Sequence, residues 1–206
     1  MIHHVKIAIR SGMRWIAKRL NQATRGKLTP NTVTLSGFVM HIPIALLIGS
    51  GHNLWAAVLL LVFGLFDTLD GELARLQNRD SPRGMLLDAS TDRLKETLIY
   101  SGAGYALALG SHPAAAAWAA AACGSSLSVS YVKAKGEAAI AASRTNLTHA
   151  ELNRLFGGGL LSFEIRMVVL IVSLLVNQLA AAVIVIAVFA GFTALQRLMQ
   201  ISKQLA

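Results

Sequence analysis

The sequence predicts an all-α polytopic membrane protein: six transmembrane helices preceded by an amphipathic interfacial helix. Three observations predict it. Of 206 residues, 54% are hydrophobic and only 14% are charged, and the mean hydropathy is +0.56. An ordinary soluble domain carries about 25% charge. Apolar runs near the length of a bilayer-spanning helix, about 20 residues, recur along the chain. Basic residues gather between alternate pairs of these runs, as they do when one side of a bilayer retains them. The length suits one domain, and the apolar content excludes disorder. The single cysteine, Cys123, excludes an intramolecular disulfide framework and a cysteine-rich zinc site.

The elements follow in order. Residues 1–28 form an N-terminal juxtamembrane segment, and residues 29–206 form the transmembrane domain. Between His4 and Lys27, Val5, Ile7, Met13, Trp15, Ile16 and Leu20 mix with Lys6, Arg10, Arg14, Lys18 and Arg19. That basic amphipathic pattern predicts a helix lying on an anionic membrane surface. It has no continuous apolar core and no small-residue cleavage site, so it does not read as a signal peptide. The spans are expected at Asn31 to Gly51, Leu54 to about Arg75, about Leu86 to Gly110, Pro113 to about Lys135, about Arg166 to Val176, and Leu179 to about Arg197. The fifth has the shortest apolar run. Gly51-His52-Asn53, Ser111-His112 and Val176-Asn177-Gln178 are tight, uncharged turns on one face. The basic residues of the N-terminal segment, the connections after spans two and four, and the C-terminus place those parts in the cytoplasm. Small residues, Gly102, Ala103 and Gly104 on span three and the alanine-rich patch Ala114 to Ala122, permit close helix packing or dimerisation.

Only ten Asp and Glu residues occur. Asp67, Asp70, Asp88 and Asp92 cluster at the ends of spans two and three. Asp67 and Asp70, three apart, share a helix face, and Asp88 and Asp92, four apart, share another. Antiparallel neighbours joined by a short connection bring both pairs together. Carboxylates so crowded take protons or bind cations. All-oxygen donors suit Mg2+ or Mn2+, and four of them suit two ions that clamp a phosphoryl group. Gly71, Ala74 and Gly84 are small enough to let a phosphate or nucleotide approach the backbone, and Arg75 is placed for bidentate phosphate contact. Glu72 and Asp80 lie off the shared face and read as solvated charges. The rival class is an ion-coupled transporter. Against it, the carboxylates sit at span ends, and no broken, inverted halves appear.

The stretch Asp67-Thr-Leu-Asp70-Gly71-Glu-Leu-Ala74-Arg75, eight residues, Gly84, three residues, Asp88, three residues, Asp92 resembles the CDP-alcohol phosphotransferase signature D-x2-D-G-x2-A-R-x8-G-x3-D-x3-D. Every fixed position is present. The resemblance implies a CDP-linked lipid donor, most often CDP-diacylglycerol, a small alcohol acceptor, and CMP as the leaving product. It implies two divalent ions on Asp67, Asp70, Asp88 and Asp92, with Asp92 as general base. It assigns contacts with the CDP group to Gly71, Arg75 and Ser81, and to Thr29, Pro30, Asn31 and Thr32 at the start of span one. Homodimerisation is expected from the same resemblance.

Ser130 and Lys133 near the end of span four, Arg166 at the start of span five and Arg197 near the end of span six face the same side as the aspartates on topology. A basic cluster there favours a phosphorylated acceptor. These positions resemble the acceptor-phosphate site of the phosphatidylinositol-phosphate synthase branch, which implies inositol phosphate as acceptor. The connection between Lys133 and Arg166 is long, includes Ser143 to Gly159, and reduces that branch's E-R-x-E-R pattern. Glycerol-3-phosphate, as in phosphatidylglycerophosphate synthases, is the alternative, because both acceptors carry a phosphate.

Overall fold

The structure, a computed structural model, describes residues 2–111, 113–143 and 161–205. Every regular element among them is helical. In chain order the helices are α1 (Ile2–Ala23), α2 (Pro30–Gly49), α3 (Asn53–Gly64), α4 (Phe66–Gln77), α5 (Pro82–Leu109), a short 3-10 turn (Pro113–Ala115), α6 (Ala116–Ala142), α7 (Phe163–Leu175) and α8 (Leu179–Leu205). The expected 143–159 connection lies, from residue 144 onward, outside the described residues.

Among the described residues, three helical stretches are long and apolar enough to cross a membrane: Pro30–Gly49, Asn53–Gln77 and Leu179–Leu205. The other expected spans fall short for separate reasons. The first half of α5 carries Asp88, Asp92, Arg93, Lys95 and Glu96. Helix α6 is rich in alanine, serine and glycine, and α7 has only 13 residues. The apolar faces point outward as well as inward. On α2, Leu35, Val39, Ile42 and Leu46 are all exposed at near-helical spacing, while Val33, Ile44 and Ile48 are buried. A continuous outward apolar stripe of this kind suits lipid and not water.

Helix limits differ from the sequence expectation where capping overrides hydropathy. Span two is split at Leu65, whose N–H bonds to the Val62 carbonyl in a tightened turn. Gly64 precedes it and supports a helix poorly. Helix α5 starts at Pro82 and not at Leu86, because Ser81 accepts the Gly84 N–H and Pro82 takes the first helical position. Helices α6 and α8 run about two turns past the expected Lys135 and Arg197; Gly136 lies within α6 and does not end it. Helix α4 ends on Asn78, whose φ of 52° is the left-handed cap that asparagine tolerates.

Two packings position the rest. Helix α2 lies against α5, and α6 lies along α8. At the first, a Cβ on Gly102 would come within 2.4 Å of the Ala45 carbonyl oxygen, so only glycine permits this approach. At α5–α6, Gly104 faces Ala119, and Ala115, Ala119 and Ala122 are buried. The small-residue patches are therefore used inside the chain. Helix α1 is docked: Met13, Ile16, Ala17 and Leu20 pack on Val33, Leu69 and Leu73 of α2 and α4, while Ile7 and Trp15 remain exposed. At the opposite end of α2 and α3, the Asn53 side chain donates to Asn177 Oδ1 at 2.9 Å, which joins two of the three uncharged turns.

Candidate active site

The connection between α4 and α5 is four residues long, and both helices pack on α2. Their aspartates converge as the spacing requires. One oxygen each from Asp67, Asp70 and Asp88 lies within 4.8 Å of the others, which is close enough to share a cation. Asp70 is buried, and its Oδ2 accepts the Thr34 hydroxyl at 2.6 Å. Asp88 Oδ1 is buried and has no hydrogen-bond partner among the described residues. An acceptor buried without a donor is costly, and a divalent cation would satisfy it. Three carboxylate oxygens of this kind fit a hard ion.

Asp92 stands apart from this trio. Its Oδ1 accepts from Lys95 at 3.1 Å, and its Oδ2 faces Arg93 at 3.8 Å. The Lys95 ammonium also donates to Asp67 Oδ1, and Lys95 is 2% exposed. Sequence reasoning missed Lys95 and Thr34. Lys95 follows Asp92 by one helical turn, and Thr34 lies one turn beyond Pro30 on the same face; those spacings were the available signal.

Beside the trio an open cleft is lined by Pro30, Asn31, Gly71, Ala74, Ser81 and Gly84, all expected nucleotide positions, together with Asp70 and Asp88. Thr34, Arg79, Asp80 and Met85 complete the lining. Two helix N-termini border it. Thr29 caps α2 by accepting the Thr32 N–H at 3.2 Å, with Pro30 next, and Ser81 caps α5. Helix N-termini offer N–H groups and a positive dipole end to phosphates. Thr29 and Thr32 act here as the cap and its partner, their hydroxyls 2.8 Å apart, and do not line the cleft. A Cβ on Gly84 would crowd Ser81 Oγ at 3.3 Å and Asn31 Oδ1 at 3.6 Å. Asp80 is exposed, in keeping with a solvated charge.

Glu72 corrects the sequence expectation. It is 3% exposed, not solvated. Its carboxylate accepts from Arg10 and Arg14 of α1, at 3.2 and 3.0 Å, and from Arg75 at 2.6 Å. Burial under docked α1 is the reason, and α1 was expected on the membrane surface. Arg75 is thus held at the cleft's side, with its guanidinium over Gly71.

Of the four expected acceptor positions, Ser130 and Arg166 are joined by one network, Arg197 lies beside it, and Lys133 faces Glu137 instead. Arg93 donates to Ser130 Oγ and to Glu96 Oε2. Glu96 Oε1 accepts from Arg166 Nε at 3.2 Å and Nη2 at 2.7 Å, and Arg166 Nη1 donates to the Leu161 carbonyl. Arg166 is 1% exposed, a buried and paired guanidinium rather than an open phosphate contact. Arg197 is buried and donates to the Val129 carbonyl at 3.4 Å, beside Ser130. Lys133 is half exposed and 3.8 Å from Glu137. Arg93 and Glu96 tie this network to Asp92.

Residues 27–194 match the CDP-alcohol phosphatidyltransferase family, and the chain belongs to it. It is 39% identical over 115 residues to a Corynebacterium glutamicum phosphatidylinositol phosphate synthase, covering 54% of this chain and 52% of that one. It is 27% identical over 210 residues to a Pyrococcus horikoshii archaetidylinositol phosphate synthase, covering 100% and 98%. The chain spans about half the length of the Corynebacterium relative. Its fold is similar to the crystal structure of Mycobacterium tuberculosis phosphatidylinositol phosphate synthase with CDP-DAG bound, with a TM-score of 0.77, 26% identity and 92% of each chain covered. The same enzyme in complex with manganese and citrate matches with a TM-score of 0.77, 25% identity and 92% and 88% coverage.

Proposed function

We propose that this protein is a phospholipid synthase that transfers a phosphatidyl group from CDP-diacylglycerol to the hydroxyl of a small phosphorylated alcohol, inositol phosphate, and releases CMP. The observation that carries the reading is the convergence of Asp67, Asp70 and Asp88 beside a cleft edged by two helix N-termini. The relatives named above support the donor and the acceptor.

Asp67, Asp70 and Asp88 would hold a divalent ion, Mg2+ or Mn2+. When bound, it would supply positive charge to the diphosphate and to the charge that develops on the leaving CMP. The second ion expected from the resemblance would need Asp92, whose oxygens face Lys95 and Arg93. The chain's own residues do the rest. The α2 and α5 N-termini and Arg75 bind the diphosphate, and Gly71, Ala74 and Gly84 leave room for the nucleotide. Asp92 accepts the proton of the acceptor hydroxyl. That oxygen forms a bond to the lipid-side phosphorus, and the bond from that phosphorus to the CMP oxygen breaks. Ser130, Lys133 and Arg197 receive the acceptor phosphate, and Arg166 braces them through Glu96 and Arg93. Positioning and charge account for most of such a reaction.

We further propose six membrane spans, with both termini and the site on the cytoplasmic side of the cell membrane. In that arrangement α1 meets the headgroups with Ile7 and Trp15, residues 1–28 serve as its anchor, and residues 29–206 form the catalytic domain. The uncharged turns joined at Asn53 and Asn177 support this sidedness, as does the positive charge at the site end. A homodimer is part of the same reading.

The test is direct. Purified protein is incubated with CDP-diacylglycerol, Mg2+ and a panel of alcohols, and the lipid product is identified. A phosphatidylinositol phosphate product with equimolar CMP is expected. A product from glycerol-3-phosphate alone would replace the acceptor. Turnover that persists undiminished in chelator would refute the metal site.

A further inference from the structure

Arg93 stands where the acidic centre meets the expected acceptor positions, and the proposed reaction uses it only as a brace. Among the described residues it is the cation that reaches both sides. Its Nη2 is 3.8 Å from Asp92 Oδ2, and its Nη1 donates to Ser130 Oγ and to Glu96 Oε2. The two arginines of this network are not equivalent. Arg166 is 1% exposed and has every nitrogen committed, Nε and Nη2 to Glu96 and Nη1 to the Leu161 carbonyl. Arg93 spends only Nη1. Its Nε and Nη2 have no hydrogen-bond partner among the described residues, and 25% of its side chain is exposed. Nε and Nη2 form one edge of the guanidinium, the edge with which Arg166 grips Glu96. Such an edge can take one anion with two N–H groups.

Resting on the reading of the site proposed above, we infer that Arg93 is a direct ligand of the acceptor phosphate, which its Nε–Nη2 edge receives beside Ser130. Arg93 follows Asp92 in the chain, so a phosphate on that edge sets the rest of the acceptor against the carboxylate that takes the hydroxyl proton. The guanidinium is held in advance: Glu96 and Ser130 fix Nη1, and the Phe163 ring centre lies 5.2 Å from its central carbon. A pre-positioned fork loses little freedom when the anion arrives. Glu96 is a single carboxylate shared by two guanidinium groups, so positive charge is left over for a phosphate.

The experiment separates contact from bracing. Arg93→Gln, Ser130→Ala and the double variant are assayed in detergent with CDP-diacylglycerol, Mg2+ and inositol phosphate. Glu96 keeps Arg166 in each of them, and gel filtration checks the fold. Arg93→Gln should raise the acceptor KM about 10- to 100-fold and leave the CDP-diacylglycerol KM within about twofold. The loss should exceed that of Ser130→Ala and persist in its background. Inorganic phosphate should compete with the acceptor on the wild type and bind about tenfold or more weakly to Arg93→Gln. An unchanged acceptor KM in folded Arg93→Gln overturns the inference. So does an equal rise in both KM values, or a double variant no worse than Ser130→Ala alone, which is the pattern of a brace. Should Arg93→Gln fail to fold, Arg93→Lys keeps the charge without the fork, and an unchanged acceptor KM there overturns it. A wild type that turns over free inositol as readily as its phosphate refutes the acceptor reading itself, and the inference with it.

Discussion

At the residue scale, the site depends on how individual carboxylates are held. The Thr34 hydroxyl takes one Asp70 oxygen at 2.6 Å and so turns the other toward the cluster. Partners that orient a ligand typically carry about 10- to 100-fold in metal affinity. Thr34→Val should raise the Mg2+ concentration for half-maximal activity about tenfold or more, and Thr34→Ser should restore it. A metal titration of activity decides between them; an unchanged midpoint in the valine variant would remove Thr34 from this role. Asp92→Asn keeps the shape of the side chain and one acceptor for Lys95 but lowers its basicity. CMP release should fall by at least about 100-fold while the protein stays folded by gel filtration. Wild-type rates in that variant would exclude Asp92 as the base.

At the scale of elements, two helix contacts set the geometry. Gly102 lets α2 and α5 approach until a Cβ would meet the Ala45 carbonyl at 2.4 Å, whereas Gly104 meets Ala119 at an ordinary 3.5 Å. Gly102→Ala should destabilise by about 1–3 kcal/mol, because backbone must move. It should also lower activity, because α2 carries Thr34 and Asn31. Gly104→Ala should change the melting temperature little. Comparable losses in both variants would show that the α2–α5 approach is not the critical one. The second contact is Glu72, which joins α1 to Arg75. Arg10 and Arg14 are largely exposed, so each pair is worth little alone, but the carboxylate they share is buried. Glu72→Gln should free α1, read as faster tryptic cleavage at Arg10 and Arg14, with about 1–2 kcal/mol lost overall. Unchanged cleavage would mean that the apolar contacts of Met13, Ile16 and Leu20 suffice to dock α1.

At the scale of the whole molecule, helix length matters. Helices α5, α6 and α8 have 27 or 28 residues and so span about 40 Å, beyond the about 30 Å hydrocarbon core. If all three cross the bilayer as proposed, the surplus turns begin at Asp88 on α5, and Asp92, Lys133 and Arg197 lie within one turn of that boundary, where charged chemistry can meet a lipid substrate. If the proposed sidedness holds, a cysteine placed at Asn177 should react with an impermeant thiol reagent from outside intact cells, in a Cys123→Ala background. A cysteine at Lys203 should react only after permeabilisation. The opposite pattern would invert the topology.

What could be read in the sequence divides along physical lines. Helical periodicity is local, so the pairing of Asp67 with Asp70 and of Asp88 with Asp92 and the alternation of apolar runs with basic connections were open to inspection without coordinates, whereas the caps at Thr29 and Ser81 came from the structure. The short α4–α5 connection brought Asp88 to Asp67 and Asp70, while Asp92 stands apart against Lys95 and Arg93. Contacts between distant segments carry no such local signal. Only the tertiary structure decided that Glu72 is buried by α1, 58 to 62 positions away. The same holds for Arg166, which spends its donors on Glu96, 70 positions away, and for Lys95, which sits between Asp67 and Asp92. The sequence determined which charges this protein brings to the end of its helices. Packing determined which of them face one another, because a buried charge must find its partner wherever the fold places it.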